Sequence, residues 1–361
     1  MSRRPVEWIG LYAVSVLAAL VVSALLVEIT GSDWRPVLDA LLDGSLRGPG
    51  RWGESMSVAA PMLIVALGTV VSARAGLVNI GQEGQLLIGA AFGSYFGFLI
   101  GGPGPLNLVL ILAFGALGGA FWASLAGGLR FWRGVPEVLS TLLLVIVATQ
   151  AAAYGLKHEW LLLADAAKRG NRNQVSEQLA EGNRLPYFHL FDNGIAFAVF
   201  LGVGLAVFVG FVLGRTTWGF RLRMLGRNPR AAQRAGVSQR SMGFTALAIS
   251  GAFAGVAGAV MFAGGAFAFG NYRFVPGFSS NIGWTGLLVA LVAREKALAA
   301  LPVAFVFGGL RTGGGFVSST GVESRISDVI QGFLVLALLV PPAIMFIRDR
   351  RRARAATTAR T

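Results

Sequence analysis

Apolar runs close to the ~20 residues that a helix needs to cross a bilayer recur along this 361-residue chain, leaving no stretch long enough for a large soluble domain. Spans are predicted near 8–29, 56–73, 77–100, 106–129, 138–156, 193–213, 242–264, 281–293, 297–310 and 326–347. The two around 281–310 fall short of a full crossing and read as half-helices, tilted segments or spans whose ends are misplaced. Only 13% of the residues are charged, against ~25% in soluble domains. The predicted fold is all-α: a polytopic membrane bundle of about ten transmembrane helices, forming a single transmembrane domain over 1–361. Glycine supplies 50 residues, and small residues let helices approach closely where lipid gives no hydrophobic drive to pack. Gly115–Gly119 and Gly251–Gly255 have the spacing for such contacts.

Arginine and lysine set the orientation, because short loops rich in them stay in the cytoplasm. The segment 214–241 carries Arg215, Arg221, Arg223, Arg227, Arg230, Arg234 and Arg240 without an acid, and the tail 348–361 holds six arginines against Asp349. Both are assigned to the cytoplasm, as are both termini. The segments 28–55 and 157–192, acidic or balanced, are assigned outside. Positive-inside bias then accounts for the net charge of +14, and nucleic-acid binding is not expected. Trp34, Val37, Leu38, Leu41 and Leu42 share one face of a short helix, an amphipathic element for the outer surface. The loop 157–192 reads as a solvated cap. Arg3 and Arg4 precede an apolar run too long for a signal-peptide core, so Trp8–Ile29 is expected to be a retained span.

Three polar motifs interrupt the apolar pattern. In Asn79-Ile80-Gly81-Gln82-Glu83-Gly84-Gln85, a helix continued from Arg74 would carry Glu83 about 14 Å inward, where a charge costs ~2.5–3.5 kcal/mol. Such a residue lines a pathway, pairs with Arg74 or caps a helix broken at the glycines. Asn79, Gln82, Glu83 and Gln85 are therefore translocation-pathway candidates. The second motif, Val135-Pro136-Glu137-Val138 leading to Thr141, adds Glu137 and Thr141, with capping of a helix start the first reading for Glu137. In the third, 225–236, Asn228 suits an N-cap, Pro229 the first helical position and Gly236 the residue past the last turn. Ala231, Ala232 and Ala235 would form a smooth face between arginines, fit for a groove on another protein or for a solvated connector.

Other chemistry has no carriers. Cysteine is absent, and His158 and His189 stand about thirty residues apart without a ligand pattern, so no metal is expected. The chain has no phosphate-binding glycine loop and no nucleophile–histidine pair on one face, so it is expected not to be an enzyme. Energy for transport must come from a gradient or from another polypeptide.

Several stretches together carry a resemblance: Arg74 to Gln85, Thr216-Thr217-Trp218-Gly219-Phe220, Gly226 to Ala232, Ile249 to Gly258 and Val289-Ala290-Leu291. The chain resembles the permease subunit of an ABC importer of the branched-chain amino acid and simple-sugar superfamily. It is most similar to the larger permease of nucleoside-type systems fed by basic-membrane-protein lipoproteins. The resemblance implies a multi-pass protein of the bacterial inner membrane, with a paralogous second permease, a cytoplasmic ABC ATPase and an extracytoplasmic substrate-binding lipoprotein as partners. ATP and Mg would belong to the ATPase, with no cofactor on this chain. It also implies that Arg227, Asn228, Pro229, Arg230, Ala231, Ala232, Ala235 and Gly236 form the segment seated on that ATPase. Two stretches depart from the family: Pro136-Glu137-Val138 stands where Asn-Glu-Val is usual, and Arg294-Glu295-Lys296 where glycine with Asn-Pro is usual.

The function expected is ATP-driven translocation of nucleosides or related small polar solutes, simple sugars included, by alternating access. The alternative is a gradient-driven transporter or channel using Glu83 as its ion site. Phe267, Phe269, Tyr272 and Phe274 could stack a base or sugar, or pack at the interface.

Overall fold

In a computed structural model, the described residues are 4–29, 31, 33–164, 174–265, 272–317 and scattered positions from 329 to 348. They divide into two compact units, Met1–Ser55 with Gly309–Thr361, and Met56–Gly308. Twelve helices are described: α1 (Arg4–Ile29), α2 (Trp34–Leu42), α3 (Arg51–Arg74), α4 (Gln82–Ile100), α5 (Gly104–Arg133), α6 (Glu137–Gly155), α7 (Phe197–Arg215), α8 (Thr217–Arg227), α9 (Pro229–Arg234), α10 (Gln239–Gly264), α11 (Ile282–Val292) and α12 (Ala300–Val317). Eight of them are long and apolar enough to cross a membrane. The span expected at 326–347 lies largely outside the described residues.

In the first unit the amphipathic element forms as α2. Asp33 caps it by accepting the Arg35 N–H at 2.9 Å, and Val37 and Leu41 are buried with Ala19, Val27 and Val317. The second unit is centred on α4, α5 and α10, which meet backbone to backbone. A methyl group added at Gly255 would overlap the carbonyl oxygen of Gly115 and come within 3.0 Å of Gly119 Cα. The two glycine pairs read from the sequence thus face each other across one seam.

Several boundaries differ from expectation. Residues 77–81 are not helical, so the span begins at Gln82. Residues 193–196 form a strand, β2 (Asn193–Ala196), antiparallel to β1 (Tyr187–Leu190), and α7 starts only at Phe197. This hairpin adds strand to a fold expected to be all-α. The segment placed at 297–310 is α12, running 300–317. One of its glycines admits a neighbour: a Cβ on Gly313 would overlap the Leu41 carbonyl oxygen. The segment at 281–293, by contrast, is a half-helix as expected, α11, whose 11 residues reach about 16 Å.

Candidate functional site

The polar segment between α3 and α4 is folded on itself. After Arg74 the chain turns at Gly76 (φ +76°), and the Asn79 side-chain oxygen accepts the Gly81 N–H at 3.0 Å. Asn79 and Gln85 then exchange two amide hydrogen bonds, of 2.9 and 3.0 Å. Because α3 ends first, Glu83 does not lie on a helix continued from Arg74; α4 begins anew beside it. Gln82 reaches the other way, its amide N–H donating to the hydroxyls of Thr69 on α3 (3.0 Å) and Ser250 on α10 (2.9 Å). Ser250 also accepts from Asn79 at 3.0 Å. The result is a polar seam joining α3, α4 and α10 inside an apolar bundle, with Gln82 only 1% exposed. One acceptor in it, the side-chain oxygen of Gln82, has no partner among the described residues.

Glu83 is 6% exposed and points away from that seam. Its carboxylate accepts the backbone N–H groups of Asn281 (3.1 Å), Gly283 (2.7 Å) and Trp284 (3.3 Å) at the start of α11. Those donors have no partner within the helix, and the positive end of its dipole favours an anion. Of the roles open to Glu83, capping is realised, on a helix some two hundred residues away. Pairing with Arg74 is not: that guanidinium donates two bonds, of 3.1 and 2.7 Å, to the Glu295 carbonyl just past the other end of α11. A cation from the end of α3 and an anion from the start of α4 thus hold the two ends of one half-helix, each at the dipole end it suits.

Thr141 joins the seam from α6. Its buried hydroxyl donates to the Glu137 carbonyl at 2.7 Å and accepts the Ile80 N–H at 3.3 Å. Glu137 makes no side-chain capping bond; its carboxylate pairs with Arg130 at 3.1 Å instead, bracing the turn between α5 and α6.

The segment 225–236 has the punctuation expected. Asn228 caps α9 by accepting the Ala231 N–H at 3.1 Å, Pro229 is its first residue and Gly236 takes φ +79°. The alanine face does not hold together, however. Ala232 is 0% exposed, packed with Leu225 and Val237, whereas Ala231 and Ala235 remain exposed beside Arg227, Arg230 and Arg234. Gly226 lies against the turn after α3, where an added methyl would overlap the Arg74 carbonyl oxygen and come within 2.8 Å of the Gly76 nitrogen. Replacing Asn228 by Ala should therefore cost ~1 kcal/mol and fray α9, seen as faster amide exchange over 230–234 with α10 unchanged.

Of the aromatic group, Phe267 and Phe269 lie outside the described residues. Tyr272 lies under the Arg184 guanidinium at 4.1 Å, and Phe274 is buried against Phe278, so these two are committed to packing. Thr69, Ser250 and the α11 terminus were not singled out from sequence. Hydroxyls scattered through apolar helices announce no partner, though Thr69 and Ser72 do sit one turn apart on α3.

Comparison with known proteins agrees with this architecture. The chain is 30% identical over 351 residues to a guanosine ABC transporter permease protein of Bacillus subtilis, covering 95% of this chain and 96% of that one. It is 29% identical over 341 residues to a glucose ABC transporter permease protein of Haloferax volcanii (91% and 87%). A nucleoside ABC transporter permease protein of Lactococcus lactis is 25% identical over 305 residues (83% and 82%). Residues 53–339 match the family described as branched-chain amino acid transport system, permease component, and the chain belongs to that family of multi-pass membrane permeases.

Proposed function

We propose that this chain is the membrane-spanning half of an ATP-driven importer for nucleosides or related small polar solutes, simple sugars included, and that it works by alternating access. A separate cytoplasmic ATPase, holding ATP and Mg, supplies the energy. A second, paralogous permease completes the pathway, and an extracytoplasmic lipoprotein delivers the solute. This chain carries no cofactor and makes or breaks no bond. Both termini, the segment 214–241 and the tail 348–361 face the cytoplasm, while 28–55 and 157–192 face outward.

The observation that carries this reading is the contact of Gly226 with the Arg74–Gly76 turn. It places the exposed arginines around α9 one step from the turn that leads into the buried polar seam. Motion imposed on α9 by the ATPase would pass through Arg74 to α11 and through Asn79 to the seam, where the free Gln82 oxygen is suited to accept from a solute hydroxyl or amine. The gradient-driven alternative fares worse, since both oxygens of its ion site, Glu83, already serve as caps.

Co-purification from the native membrane tests the reading. Wild type is expected to bring an ATPase and a second permease, and Arg227→Glu/Arg230→Glu to lose the ATPase while keeping its Tm. A chain that purifies alone and moves solute in liposomes under an imposed gradient would overturn it.

A further inference from the structure

The β1–β2 hairpin holds an apolar tip in a fixed place. Its two-residue turn, Phe191-Asp192, has φ of +48° and +59°, a geometry that favours Asn-Gly and strains a bulky residue. Phe191 is 83% exposed, and Leu190 and Phe188 are about half exposed. The base is nonetheless anchored: the Ala196 N–H donates to the Ser57 hydroxyl at 3.0 Å, and the Tyr187 hydroxyl donates to the Gly264 carbonyl at 2.8 Å. Water does not suit such a surface, and an exposed loop rarely fixes one.

What adjoins it is the outward stripe of α7. Phe200, Val203, Val207 and Phe211 recur at helical spacing and are exposed, while Ala198, Gly202, Ala206, Val209 and Leu213 face inward. Since α7 has the length and apolarity of a membrane span, its exposed stripe is the one that meets acyl chains. Phe188 stands edge-on to Phe200, ring centres 5.5 Å apart, so the apolar surface of the hairpin continues that stripe beyond the N-terminus of the helix. His189 and Asp192, both exposed, add polar groups at the same level. Aromatic side chains beside polar ones at the end of a span are what the interfacial layer of a bilayer accommodates.

We infer that the hairpin is a lipid anchor, seated in the interfacial layer at the N-terminal end of α7, with Phe191 and Leu190 toward the acyl chains and Asp192 and His189 among the headgroups. Residues 187–192 are then immersed rather than part of a solvated cap.

Because the chain has no cysteine, a single one can be placed at will. Phe191→Cys and Leu190→Cys are labelled with an environment-sensitive fluorophore, alongside Gln178→Cys in the exposed loop and Phe208→Cys on the outward face of α7. The full-length chains are reconstituted in phosphatidylethanolamine/phosphatidylglycerol nanodiscs. Labels at 190 and 191 are expected to be quenched by lipids brominated near the headgroup and to show a severalfold lower iodide quenching constant than the label at 178, approaching that at 208. If the Phe191 variant loses the parental Tm, the Leu190 variant carries the test. Iodide access equal to that at 178 without a response to brominated lipid would overturn the proposal in favour of a solvated tip. Protection from both quenchers would overturn it in favour of a protein covering the hairpin.

Discussion

Replacing Gly255 by Leu should leave almost no folded protein in the membrane, read as loss of the monodisperse size-exclusion peak of a fluorescent fusion. The atoms that a side chain would meet are the Gly115 carbonyl oxygen and the Gly119 Cα, both backbone, so no rotamer change makes room. Overpacking an adaptable core costs ~1–3 kcal/mol, and a seam without side chains to rearrange should exceed the top of that range. Gly204→Leu is the control, because an added Cβ on this exposed α7 position meets nothing within 4 Å. A Gly255→Leu chain with a normal peak and parental Tm would show that the close contact of α5 with α10 is not required.

Glu83→Ala should have the second-largest effect. It leaves the N–H groups of Asn281, Gly283 and Trp284 without their acceptor; only that of Gly283 is fully buried, so the loss is about 1–3 kcal/mol, concentrated at one end of α11. The expected result is faster amide exchange at 281–284 together with loss of transport by the assembled complex, with Glu83→Gln intermediate because it keeps one acceptor oxygen. Exchange at 281–284 that stays unchanged would overturn the capping role. Should transport fall all the same, Glu83 acts on the solute directly.

Those two residues also mark how far the sequence could be read. Glycine pairs spaced four apart announce a close helix contact, and the structure places them in one. The punctuation of α9 was equally legible, because caps act within three or four residues. Glu83 stood out as a charge needing a reason, yet the reason lies on α11, and nothing local to either segment names the other. Ala232 shows a similar limit: its spacing made it part of a smooth face, but Leu225 and Val237 claim it for their own cluster. The last turns of α12 lie beyond the expected end of its span, and there the smallness of Gly313 serves packing against Leu41. The hairpin escaped notice although Asp192, Asn193 and Gly194 are turn residues, because Asn193 onward reads as the start of the apolar span.

The way α11 is held constrains what it can do. Its two fastenings come from residues nine apart in sequence, Arg74 and Glu83, and each grips backbone groups at a fixed register. Sliding α11 by one residue would break both together, and no intermediate register satisfies either. The half-helix is therefore fastened at both ends in one register. If α9 is driven as proposed, a step that depends on release of α11 should advance by whole events even when the force grows gradually.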